Sequence, residues 1–126
     1  MKKLILFVVL LFSLTISAQE KKEQVVKTYT KALVEGYWYD SDLTVVYHYK
    51  GESNKIRMYY KNKMSDYVQQ GITTRGETES GEKYQLLTLV DLETDAVIYL
   101  QYFENHYDYG IRLVFGEGLS IQFVEQ

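Results

Sequence analysis

The chain has 126 residues, a formal net charge of −3, and neither cysteine nor proline. That length specifies one domain, large enough to bury a core of its own. Without cysteine there is no disulfide, no thiol catalysis and no Cys-ligated zinc or iron–sulfur centre, and the acidic balance has the wrong sign for whole-molecule attraction to nucleic acid or anionic membranes.

The first residues, MKKLILFVVLLFSLTISAQE, carry Lys2 and Lys3, an apolar run from Leu4 to Phe12 and a small residue at Ala18. This is the pattern of a secretory signal peptide cut after Ala18. A spanning helix needs about 20 apolar residues, and Ser13, Thr15 and Ser17 interrupt this run. The reading is therefore a signal peptide at 1–18 and a single β-meander domain at 19–126. Losing the leader removes two lysines and no acids, which takes the charge from −3 to −5. No Asn-x-Ser/Thr sequon and no Cys for lipid attachment are present. A bacterial periplasmic or secreted protein, with no membrane insertion after cleavage, fits these features.

From Glu20 to Glu35 the spacing predicts an amphipathic helix. Val25, Val26, Tyr29, Ala32 and Leu33 fall on one face, and Gly36 stands where a helix would stop. Such a helix must dock its apolar stripe on something else. Beyond Gly36 the period changes to two. Leu43, Val45, Tyr47 and Tyr49 alternate with their neighbours, as do Ile56, Met58 and Tyr60. A weaker extended stretch covers 64–75, and further strands are expected at 83–91, 96–103, 109–115 and 119–124. The connections are short and rich in Gly, Asn and Asp, which marks hairpins. The expected fold is mainly β: an N-terminal helix followed by a six- to seven-stranded antiparallel meander, as a curved sheet or small barrel. YQLLTLV and AVIYLQYF, apolar on both faces, read as central strands covered on both sides. Residues 69–83, polar and Gly-rich, are the expected mobile segment.

The stretch EGYWYDSDLTVVYHYK concentrates aromatics. Trp38, Tyr39, Tyr47 and Tyr49 are the candidate ligand-binding residues, as a pocket wall; the competing reading is a tyrosine-lined core whose hydroxyls reach its rim. A bend or bulge near Asp40–Asp42 is expected to return Trp38 to apolar surroundings. The basic run from Lys50 to Lys63 has the alternation of an outer strand guarded by lysines, which outweighs a polyanion site. DLETD, residues 91–95, imitates a calcium loop, but Ala96 and Tyr102 stand where glycine and glutamate are required. His48 and His106 lie on different elements, with no metal-ligand spacing. Nucleophile-elbow, P-loop and dinucleotide fingerprints are lacking. No catalytic residue, metal or cofactor is assigned, and no enzymatic turnover is expected.

Two short motifs carry resemblances. Gly36-Tyr37-Trp38 resembles the G-x-W element of lipocalin-like barrels, which implies an up-and-down barrel closed at one end by the Trp and open to apolar ligands. The chain departs from that family in its shorter length and fewer expected strands. Ser80-Gly81-Glu82-Lys83-Tyr84 is similar to the S-G-x-x-Y loop of bacterial periplasmic lysozyme inhibitors, which implies that Ser80 and Tyr84 meet the partner enzyme's cleft. That family's cysteines and its Trp-x-Lys-Gly-type element are absent here. The expected function is an exported, non-enzymatic binding module for a small apolar or amphipathic ligand. The alternative is a protein-interaction module such as a lysozyme-type inhibitor, and nucleic acid is not an expected partner.

Overall fold

A computed structural model describes residues 22–125; the proposed leader at 1–18 lies outside them. Nine strands occur among the described residues: β1 (Val25–Val34), β2 (Tyr37–Tyr47), β3 (Lys55–Tyr60), β4 (Lys63–Gln69), β5 (Thr74–Glu77), β6 (Lys83–Asp91), β7 (Val97–Phe103), β8 (Ile111–Val114) and β9 (Ser120–Val124). A single helical turn, α1 (His106–Tyr109), joins β7 to β8. It is capped by Asn105, whose side chain accepts from the Asp108 N–H. No helix among the described residues is long and apolar enough to cross a membrane.

All pairings are antiparallel, and eight of the strands close into a barrel. β9 pairs with β1, and β4 pairs with β6 through Tyr67–Asp91, Val68–Val90 and Gln69–Leu89. β5 lies farther along the same edge of β6, pairing Thr74–Glu77 with Lys83–Leu86, so β4 and β5 act as one strand interrupted at 70–73. The expected meander is thus present, with more strands than expected and with its edges joined.

The expected helix at 20–35 is not formed: residues 25–34 are β1. Its spacing has another cause. The β1–β2 register slips at Thr30, with Tyr29 opposite Leu43 but Lys31 opposite Asp40, so β2 carries one extra residue at Ser41–Asp42. Across this irregularity the buried set passes from Tyr29 to Ala32, an i, i+3 step that also suits a helix. Tyr29 is buried as expected, but Val26 is exposed and Leu33 only partly covered. AVIYLQYF, expected to be covered on both sides, is not: Val97 and Tyr99 of β7 face outwards and are exposed.

The core fills the middle of the barrel. Leu43, Val45, Ile56, Met58, Leu89, Leu100, Ile111, Leu113 and Phe123 pack together, with Tyr60 edge-on to Phe123 at 5.9 Å. An eight-stranded barrel is just wide enough for side chains to fill it. The two ends differ. One carries the tight hairpins, including Glu35–Gly36 and Lys61–Asn62, whose positive φ angles suit two-residue turns that follow the strand twist. The other carries the connections 48–54, 70–73, 78–82 and 104–110, together with both ends of the described chain.

Candidate functional site

The long-connection end is a mouth, and it holds a cavity of about 460 Å³. Strand ends supply its walls: Val25 of β1, Tyr47 of β2, Gln69 of β4, Gln85 and Leu87 of β6, and Tyr102 of β7. Lys22, His48, Ser53 and Thr73 complete the rim from the connections. Tyr47 and Tyr102 meet edge to face at 5.6 Å. Alternation brings these side chains here, because Tyr47 follows Leu43 and Val45 on the inner face of β2, and Tyr102 follows Ile98 and Leu100 on that of β7.

Behind the two tyrosines lies a polar cluster. The Tyr47 and Tyr29 hydroxyls are 2.8 Å apart, and Tyr29 Oη is 2.8 Å from His106 Nε2. The His106 ring stacks on Tyr102 at 4.1 Å and 19°. Glu125 Oε1 stands 3.7 Å from His106 Nε2 and 3.3 Å from Lys27 Nζ. Burial raises the pKa of the Tyr29 and Tyr47 hydroxyls, so both stay neutral at ordinary pH. Burial also holds His106 below its ordinary value, with Glu125 opposing and Lys27 assisting. The hydrogen bond to Tyr29 orients Tyr47, and stacking on His106 orients Tyr102. α1 presses against β9 here, and Gly110 permits it: a Cβ at this position, where φ is +56°, would collide with the Phe123 carbonyl.

Of the four aromatics singled out as ligand-binding, only Tyr47 reaches this cavity. Trp38 and Tyr39 stand at the hairpin end, each 56% exposed, beside Lys31, Asp40 and Val124 on a shallow outer groove. The β2 irregularity occurs where a bulge was expected, yet it leaves Trp38 in solvent rather than across the barrel end. Tyr49 lies outside the barrel under the Arg57 guanidinium at 4.1 Å. Arg57 in turn forms a two-pronged pair with Asp66 at 2.7 and 2.9 Å, and Lys55 pairs with Glu52.

Ser80 is exposed in the turn between β5 and β6. Its hydroxyl hydrogen-bonds the Glu82 carboxylate, which also accepts from Thr78 Oγ1 at 2.7 Å and Tyr109 Oη at 3.0 Å. Hydrogen bonds from Ser80, Thr78 and Tyr109 hold Glu82 at a pKa of about 2. Tyr84 is half-buried on the outer wall, edge-on to Phe103 at 5.8 Å, and its ring lies over Gly76, where a Cβ would come within 2.5 Å.

Sequence reasoning missed Tyr29, Tyr102, His106 and Glu125. One signal was available: Tyr47 and Tyr102 end strands that lead into long connections, and such strand ends line a barrel's mouth. No grouping of His, Asp and Glu able to hold a metal occurs among the described residues. No family model, curated protein or solved structure matches the chain.

Proposed function

We propose that the protein is a non-enzymatic binding module that takes a small amphipathic ligand into the barrel mouth between Tyr47 and Tyr102. The carrying observation is the cavity itself. Its volume lies in the range of small-molecule sites, about 300–1,000 Å³, and it combines apolar and aromatic walls with a few convergent polar groups. An amphipathic ligand would rest its body on Val25, Leu87 and the tyrosines and present its polar part to His48, Gln69 and Gln85. The barrel supports the lipocalin-like resemblance in architecture alone.

The alternative is interaction with a protein through residues 76–84. Ser80 at a hairpin turn favours it, but the Ser80 hydroxyl is engaged by Glu82 and the Tyr84 ring is packed on Phe103. A lysozyme activity assay with and without the protein tests that reading, and inhibition would make it the leading one. For the mouth, the experiment is native mass spectrometry of protein purified from its host. A retained small molecule, lost in Gln85→Trp at unchanged melting temperature, is the expected result. Retention that is indifferent to Gln85→Trp would place the ligand elsewhere.

A further inference from the structure

We infer that the ligand of the mouth is an organic anion, a monocarboxylate whose carboxylate meets Lys22 and His48; this rests on the reading of the mouth as a binding site. The protein as a whole is acidic, with 17 Asp and Glu against 14 Lys and Arg. The cavity lining runs the other way: among the described residues it includes Lys22 and His48 and no carboxylate. Of the acids adjoining the lining, Glu23 is exposed between Lys22 and Val25, and Glu52 and Glu125 are committed to cations. Glu52, next to Ser53, pairs with Lys55 at 2.8 Å, and Glu125, behind the tyrosines, pairs with Lys27 at 3.3 Å.

Donors surround the same space. Gln85 and Ser53 line it, and Gln69 donates to Thr73 Oγ1 at 2.7 Å, which fixes both side chains at the rim. His48 adds two observations of its own. Its backbone is left-handed, with φ 54° and ψ 48°, and Lys50 two residues on is left-handed as well. Non-glycine residues adopt this region only where the surrounding structure holds them there, and the 48–54 turn does so here beside the cavity. The His48 Nδ1 is also buried with no hydrogen-bond partner in the protein. A buried polar atom left unpaired is costly, and a turn of the ring that brought Nδ1 to an oxygen-bearing ligand in the adjoining cavity would remove that cost. One ammonium, one imidazole and neutral amides suit a single negative charge shared by two oxygens. A dianionic phosphate commonly recruits the forked geometry of arginine, and among the described residues no arginine lines the cavity.

The test uses a matched fluorescent pair, dansylglycine and dansylglycinamide, which differ in charge and little in shape. The exported protein should bind the carboxylate about tenfold more tightly than the amide, the scale of one charge-assisted hydrogen bond. Lys22→Met and His48→Asn should each reduce that preference by weakening carboxylate binding several-fold more than amide binding; asparagine tolerates the left-handed backbone, so the turn is kept. Rising salt should weaken the carboxylate alone. Equal binding of the two probes, or a preference untouched by both variants, would overturn the anion inference while the mouth stands as a site. Binding of neither probe would overturn the reading of the mouth and this inference with it.

Discussion

His106 is the residue most sensitive to its surroundings. It is packed between Tyr102 and Tyr29, with its side chain 13% exposed, and desolvation depresses its pKa below the ordinary value of 6.5. The unfolded chain therefore binds a proton more readily than the native state does below pH 6.5. The contribution is complete above that pH and is lost as pH falls through the folded pKa. Wild type should lose stability on acidification from pH 7.5 to 5.5 by up to about 1.4 kcal/mol per pH unit, and His106→Gln should lose less. Urea midpoints at the two pH values measure this, and parallel loss in both proteins would assign the slope to other groups. Glu82 has the opposite chemistry and the same acid-side direction. Its folded pKa of about 2 lies below the ordinary 4.5, so its contribution is complete above pH 4.5 and disappears as pH falls towards 2. Glu82→Gln at neutral pH should accelerate amide exchange at residues 78–82, because Ser80, Thr78 and Tyr109 lose their charged acceptor. Unchanged exchange would mean that pairing of β5 with β6 alone holds the segment.

At the scale of elements, β1 shows how a local pattern misleads. Its apolar positions satisfy a helix template, and its true alternation is hidden by the irregularity at Thr30. The difference has energetic consequences. In a docked helix Leu33 would lie in the core; in β1 it is only partly covered, opposite Trp38, which is itself half in solvent. Leu33→Ala should therefore cost less than about 1 kcal/mol, whereas Leu100→Ala, at a fully buried position of β7, should cost about 2–5 kcal/mol. Thermal or urea unfolding of the two variants checks the ranking, and equal losses would contradict the strand. The later strands were more legible. The segments expected at 83–91, 96–103 and 119–124 agree with β6, β7 and β9 to within a residue, because turn residues bracket clear alternation there. The stretch expected at 109–115 shortened to β8 because Asn105 caps a helical turn that takes His106–Tyr109.

For the whole molecule, closure decides what the surface can do. Two non-local ladders, β1 with β9 and β4 with β6, remove the long free edges of a meander and gather the long connections at one end. A domain without disulfides benefits from that closure. Intact mass of the exported protein should correspond to a start at Gln19; recovery of Leu4–Phe12 in a membrane fraction would contradict it. The sequence alone determined the β class, most of the later strands and the absence of cysteine chemistry, since composition and short-range periodicity are properties of neighbouring residues. Only the tertiary structure decided that β1 is a strand, that the sheet closes, and that Tyr47 shares a cavity with Tyr102 while Trp38, Tyr39 and Tyr49 do not. The reason is physical: a barrel closes only when strand number and stagger agree around the full circumference, and residues as far apart as Tyr29 and His106 become neighbours through that condition and through nothing in their local sequence.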